Sequence, residues 1–454
     1  MNSQKQTLRA KTYQGAALVI ITYGFSQLTR LAGNLILTRL LVPELFGVMA
    51  LAQIFIIGLN LFSDFGIGPG IIQSKRGTDP VFLNTAWTIQ ILRGSTIWVL
   101  TLIVAYPLAL FYQEPILSKV IPIIGFSSLI SGFNATSIYT LNKELRFGKL
   151  TFMSLTSQVI GLLFTIGLAY QYHNIWALIF GGLIAETIKT IWSHFLDTTT
   201  RNQFLFNKTA ARELFTFGKW IFISTAMMFL ATQADKLILG KLTPLALFGV
   251  YNIAIIFAEL PKQITERLCG QVMFPLISQY SHINRQELRQ KILDKRKLLL
   301  IPLIATVALL ASFGDLLIIA LYDERYRMAA WMLPLLALGM YPFLLQATID
   351  RALYAIGNPK FSALANFVKF VYMITCLPLS FKIGGQLGAI LAIAANDIPS
   401  YLVTAYGLKQ NQLSSTRQDI YATMSLLIII FIFVTLRIYT GLGIPGIEAY
   451  STQL

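Results

Sequence analysis

Charge is what this sequence has least of. Only 12% of its 454 residues are Asp, Glu, Lys or Arg, against 55% hydrophobic residues and a mean hydropathy of +0.65. So little polar surface cannot clothe a water-soluble particle of this size, which excludes a string of soluble domains. Cysteine and histidine are scarce too. Cys269 and Cys376 both fall in apolar stretches and read as small packing residues, not a disulfide framework. His173, His194 and His282 are scattered without metal-ligand spacing. No G-x-x-x-x-G-K-[ST], H-E-x-x-H or G-x-S-x-G motif occurs. The longest expected inward connection, residues 279–297, is too short to hold an ATPase or glycosyltransferase domain. These absences argue against an enzyme and against a bound cofactor. An ion gradient, the membrane potential or a substrate gradient is left to drive any uphill work.

The charge that is present is unbalanced. Lys and Arg number 36 and Asp and Glu 20, a formal +16. In a soluble chain that excess would point to nucleic acid. Here the basic residues concentrate in alternate short connections, which is the mark of membrane topology, so no nucleic-acid partner is expected. Apolar stretches of membrane-crossing length predict thirteen spans, at residues 13–40, 46–72, 83–111, 116–140, 150–171, 175–196, 214–240, 245–278, 298–322, 328–356, 361–382, 387–408 and 420–439. With a cytoplasmic N-terminus, the inward connections carry twenty Lys and Arg and the outward ones six. Lys5, Arg9 and Lys11 precede an apolar run from Tyr13 to Leu41, well beyond the roughly 7 to 15 apolar residues of a cleaved signal, so a retained first helix is expected.

The stretch from Arg39 to Gln73 recurs. Arg39 and Phe46-Gly47-Val48 are matched by Lys241 and Phe248-Gly249-Val250 at a constant offset of 202 residues, and Pro43 by Pro244 with a slip of one. The same offset sets Asp64 opposite Glu266. Six spans return a chain to its starting side, so the expectation is two parallel six-span repeats, a transporter signature. The expected organisation is an N-terminal lobe at 1–196, a cytoplasmic linker at 197–213, a C-terminal lobe at 214–408, and an extra span and tail at 409–454. The fold class is an all-α integral membrane protein of about 12 to 14 spans in two pseudo-symmetric six-helix lobes.

Ionisable groups inside spans each cost about 2.5 to 3.5 kcal/mol at a lipid-facing helix centre, so they should meet one another or a wet cavity. The basic ones are Arg30, Arg93, Lys189, Lys219, Lys236, Lys262, Arg267, Arg351, Lys369 and Arg437; acidic ones include Asp64, Glu186, Asp235, Glu259, Glu266, Asp315 and Asp397. Lys189, Lys219, Arg351 and Arg437 lie within snorkelling reach of an interface. Arg30 shares a helix face with Asn34. Glu259, Lys262, Glu266 and Arg267 form a polar stripe on the eighth span, broken at Pro261, that must face a cavity or a partner helix.

Four stretches carry a specific resemblance: TRLLVPELFGVMALAQIFIIGLNLFSDFGIGPGIIQ, LNKELRFGKL, ADKLILGKLTPLALFGVYNIA and ALYAIGNPKFSALANF. The first looks like the opening hairpin of the Wzx-like polysaccharide transporters of the MOP flippase superfamily. That resemblance implies a two-lobed bundle whose helices one, two, seven and eight line a central basic cavity. It also implies a flippase for undecaprenyl-diphosphate-linked oligosaccharide, working by alternating access in the bacterial inner membrane, with a polysaccharide polymerase complex as a potential neighbour. By position, Arg30, Asn34, Lys236, Lys262 and Arg267 become the substrate-binding candidates. Asp64, Asp235, Glu259 and Glu266 either balance their charge or couple to a proton or sodium ion. Scattered polar residues such as Gln27, Gln53, Asn60 and Gln90 are candidates for sugar selection. A cation-exporting multidrug antiporter, a peptidoglycan-precursor flippase and a non-transporting partner of a polysaccharide synthase are the alternatives. Many relatives have fourteen spans, whereas here a thirteenth is followed only by GLGIPGIEAYSTQL.

Overall fold

In a computed structural model the chain is described at Thr22, residues 24–144, 146–197, 201–269, Ile277 and 283–447, with backbone alone for 216–224 and 267. Lys5, Arg9, Lys11, His282 and the side chains of Lys219 and Arg267 therefore lie outside the described residues. Every regular element among the described residues is helical, and two compact units divide at Phe229/Leu230.

The first unit opens with α1 (residues 24–40). Proline in a helix needs no amide partner in the first turn, and Pro43 starts α2 (Pro43–Phe62) there. After a break, Gly66 at φ 64° admits the left-handed turn that launches α3 (Ile67–Gln73). Asp79 caps α4 (Pro80–Tyr112), accepting from the Val81 amide at 2.9 Å. Then come α5 (Leu117–Gly132), α6 (Ser137–Lys143), α7 (Phe147–Tyr172) and α8 (Ile175–Ser193), the last capped by Asn174 on the Trp176 amide. Helix α4 lies along α5, α7 along α8, and α5 also meets α2 and α8. Small residues permit these approaches: Gly94 sits against the Ser128 carbonyl and Gly132, and Gly181 against Thr165.

Residues 201–207 run extended along α4, held by side chains. The Gln203 amide bonds Asn84 Oδ1, Leu205 exchanges two bonds with Thr88 Oγ1, and the Asn207 amide bonds Thr85 Oγ1. Asn207 Oδ1 then accepts from the Thr209 and Ala210 amides, so α9 (Lys208–Leu242) begins inside the stretch expected as a linker.

Helix α9 carries the chain into the second unit. There follow α10 (Leu245–Ala258), α11 (Leu260–Leu268), α12 (Arg285–Leu321), a 3₁₀ turn (Glu324–Tyr326), α13 (Ala329–Gly339), α14 (Tyr341–Ala347), α15 (Arg351–Ala355), α16 (Lys360–Ala395), α17 (Asp397–Gln410) and α18 (Thr416–Tyr439). Helix α13 packs against α10, α12 and α16, and α18 against α12.

Among the described residues, 8 helical stretches are long and apolar enough to cross a membrane, and 2 bent pairs bring the total to 10. The bent pairs are the expected spans four and eight: α5 and α6 meet at 62°, α10 and α11 at 46°. The expected spans eleven and twelve run together as Lys360–Gln410, interrupted at Gly384 and at Gly385, where φ is 55°. This is a multi-pass membrane protein.

Candidate functional site

A break in a span exposes backbone groups that lipid cannot satisfy, so side chains must do it. At the break between α5 and α6, Gln90 Nε2 of α4 reaches the Gly132 and Asn134 carbonyls at 3.0 and 3.1 Å, and Gln90 Oε1 accepts from Tyr139 Oη at 3.0 Å. Ser193 Oγ accepts from the Ala135 amide at 2.9 Å. Gln90 is buried in this work, so its place among the sugar-selecting candidates gives way to a structural one. Gln53, by contrast, is exposed.

The break between α2 and α3 is held by charge. Arg93 Nη2 donates to the Asn60 carbonyl at 2.7 Å and Nε to Ser63 Oγ at 3.1 Å, placing a guanidinium on the C-terminus of α2 where the helix dipole favours a cation. Asp64 turns the chain, its Oδ1 accepting from the Gly66 amide at 2.9 Å, and its charge interacts with that of Arg93. Arg93 was legible as an unexplained span cation, but its partner carbonyl carries no sequence signal. On α1, Arg30 is exposed and Asn34 half-buried; Ser26, one turn before Arg30, exchanges two hydrogen bonds with Gln158 of α7 at 2.6 and 3.0 Å.

In the second unit the stripe expected on one helix face is bent. Glu259 lies at the junction of α10 and α11, and Pro261 occupies the first turn of α11, where its missing amide costs nothing. Lys262 stands half-buried with Nζ 4.9 Å from the Phe343 ring centre, a cation–π contact. Its charge interacts with Glu259, Asp397, Glu266 and Asp235, so α9, α10, α11 and α17 all contribute to its field. Tyr251 Oη donates to Asp235 Oδ2 at 2.6 Å, and Lys369 is ion-paired with Asp397, both buried. Thus Lys262, Asp235, Glu259 and Glu266 are brought together, and Lys369 and Asp397 join a set that sequence assigned without them. Lys236 is half-buried on α9 and Glu266 exposed. The offset pairing of Asp64 with Glu266 does not extend to local structure: Asp64 sits in a turn, Glu266 inside α11.

Two arginines depart from expectation. Arg296, counted with an inward connection, is wholly buried: it ion-pairs Asp419 at 2.6 Å and donates to Thr348 Oγ1 at 2.7 Å and the Leu345 carbonyl at 2.8 Å. Asp419 also accepts from Tyr401 Oη and Ser415 Oγ. Arg437, expected to snorkel, instead forks onto Asp315 at 2.6 and 2.8 Å and reaches the Leu442 carbonyl. A guanidinium stays inside when its charge is paired and most of its donors are met, and at Arg437 only Nε is left over; both pairs fasten α18 to α12.

Residues 36–330 match the family described as polysaccharide biosynthesis protein. The chain belongs to that family. It is similar to the teichuronic acid biosynthesis protein TuaB of Bacillus subtilis (strain 168), with 24% identity over 277 residues, 61% of this chain and 57% of TuaB. The lipopolysaccharide biosynthesis protein WzxC of Escherichia coli (strain K12) is 22% identical over 423 residues, 87% of this chain and 81% of WzxC. In fold the chain resembles the lipid II flippase MurJ in an inward closed conformation, with a TM-score of 0.74, 17% identity and 92% of each chain covered. An inward-facing multidrug MATE transporter of the MOP superfamily gives 0.65 at 14% identity, over 89% of this chain and 95% of that one. The family match lies where the first hairpin resembled Wzx-like proteins, and the fold is one shared with solved MOP-superfamily structures.

Proposed function

We propose that this protein is a flippase for undecaprenyl-diphosphate-linked oligosaccharide units, moving them by alternating access across the bacterial inner membrane for surface polysaccharide assembly. The observation that carries the reading is the coincidence of a polysaccharide biosynthesis family match with the fold of a lipid II flippase along the same chain. The span charges support it. Arg30, exposed on α1, and Lys262, tethered by Phe343 and only partly exposed, are cations available to a diphosphate, to which charge-assisted hydrogen bonds are strong. Asn34, Lys236 and Arg267 complete the substrate-binding set. Asp64, Asp235, Glu259 and Glu266 balance its charge or couple transport to a proton or sodium ion. The N-terminus is cytoplasmic in this reading, no covalent step is involved, and a polysaccharide polymerase complex is the expected neighbour.

Mass spectrometry of the lipid-linked intermediates in a deletion strain tests the proposal. Accumulated undecaprenyl-linked repeat units with lost surface polysaccharide are expected; unchanged intermediates and unchanged polysaccharide would sink it. A second reading, export of organic cations, is favoured by the four carboxylates around Lys262 and by the likeness to a MATE transporter. It requires drug sensitivity on deletion with normal polysaccharide.

A further inference from the structure

At one end of α8 the residues Ile188, Ile191, Trp192 and Phe195 recur at i, i+3, i+4 and i+7 and line a groove of about 350 Å³. Phe152 of α7 stands edge-on to Trp192, ring centres 5.6 Å apart, and extends the aromatic wall. Phe195 is 73% exposed and Phe152 62% exposed, so no other described part of the chain fills this groove. A plain lipid-facing helix surface would be apolar too. Two features separate this one from it. The surface is concave, and an exposed lysine stands at its end.

That cation is Lys149, in the first turn of α7, whose Nζ donates to the Leu196 carbonyl at 3.0 Å, one residue beyond Phe195. The neighbouring charges are already matched: Arg146 pairs with Glu144 at 3.5 Å and Lys189 with Glu186 at 3.0 Å. Lys149 is exposed and makes no ion pair with an acidic side chain among the described residues. One carbonyl takes one of its three protons, leaving two donors for an external anion. The end of the groove lies where α7 begins and α8 finishes, next to basic connections, where a leaflet's anionic headgroups are attracted.

We propose that this groove is a binding site for one anionic phospholipid of the bilayer, its acyl chain along Ile188, Ile191, Trp192 and Phe195 and its phosphate on Lys149. The site is separate from the charged set around Lys262 and does not depend on the transport reading. An occupied groove gives α7 and α8 an apolar neighbour where their shared surface is hollow.

The test uses the full chain in nanodiscs and reads Trp192 as the fluorescence lost on Trp192→Phe. Brominated phosphatidylglycerol and brominated phosphatidylcholine, each at the same small fraction of a phosphatidylcholine bilayer, serve as quenchers. Half-maximal quenching of Trp192 is expected at an about fivefold lower fraction of the anionic lipid, the preference a single lysine supplies near an anionic headgroup. Lys149→Gln should abolish that preference and Lys149→Arg keep it, with helical content unchanged in both. Equal quenching by the two lipids, or a preference that survives Lys149→Gln, overturns the proposal. So does displacement by undecaprenyl phosphate but not by unlabelled phosphatidylglycerol, which would assign the groove to a polyprenyl chain. Absence of quenching by either lipid overturns it as well, since the groove would then be covered by protein.

Discussion

Arg296 and Asp419 face each other at 2.6 Å with both side chains at or near complete burial, one at the start of the apolar part of α12 and the other in the first turn of α18. Removing one partner leaves the other charged, dry and unpaired, which costs about 3 to 5 kcal/mol. Arg296→Met and Asp419→Leu should each lower the unfolding temperature sharply in detergent. The double variant Arg296→Met with Asp419→Leu should lose much less than the sum. Additive losses in that cycle would show that the pair is not coupled.

Lys262 should matter to transport more than to folding, because a partly exposed lysine has an aromatic ring and several carboxylates around it. Lys262→Gln is expected to lower the flux of lipid-linked units by about tenfold or more, the value of a charge-assisted hydrogen bond to phosphate. Lipid-linked intermediates would accumulate while the protein stays at its normal level in the membrane. Wild-type flux in this variant would move Lys262 to a structural role.

Helix packing offers a sharper contrast. A methyl group at Gly94 would collide with the Ser128 backbone carbonyl, whereas nothing lies within 4 Å of one at Gly167. Gly94→Ala should therefore destabilise the first unit by about 1 to 3 kcal/mol through overpacking. Gly167→Ala, within α7, should be neutral or stabilising by up to about 1 kcal/mol. Thermal unfolding followed by circular dichroism would separate them, and equal effects would contradict the close approach of α4 and α5.

Outside the spans, Asp79 carries a pH signature. Its carboxyl is held below the ordinary value by hydrogen bonding from Arg76, then from the Val81 amide. A carboxylate whose folded value is depressed contributes stability above its unfolded value near 3.9, and that contribution is lost as pH falls through the depressed folded value. In Asp79→Asn the acid-side fall in unfolding temperature should be shallower than in the parent. An unchanged acid slope would remove Asp79 from the cap's energetics.

Much of the architecture was legible in sequence because it follows from apolar length. Most of the expected spans, the break near Pro261 and the Phe-Gly-Val recurrence at the starts of α2 and α10 appear among the described residues, while the expected spans at 13–40 and 245–278 fall partly outside them and that at 214–240 is described in part by backbone alone. Charge positions were readable as positions but not as partners. Lys262 and its carboxylates could be grouped because most share one stretch of chain. Arg296 with Asp419, and Arg437 with Asp315, join residues more than a hundred positions apart, and no local pattern marks such a pair. The same holds for Gln90. A glutamine on an apolar helix looks the same whether it meets a ligand or the stranded Gly132 and Asn134 carbonyls; only the fold distinguishes them.

The bond from the Gly446 amide to Asp315 Oδ2, beside the Arg437 fork, gives the segment after α18 a mechanical role. A chain truncated just after Thr440 would strip Asp315 of that amide and Arg437 of the Leu442 carbonyl together, and uncover the Trp331 backbone against which Gly446 packs at φ 75°. Trimming this stretch as dispensable would therefore leave the Arg437–Asp315 fork less supported at one end of the α18–α12 seam, while the Arg296 clasp at the other kept all its partners.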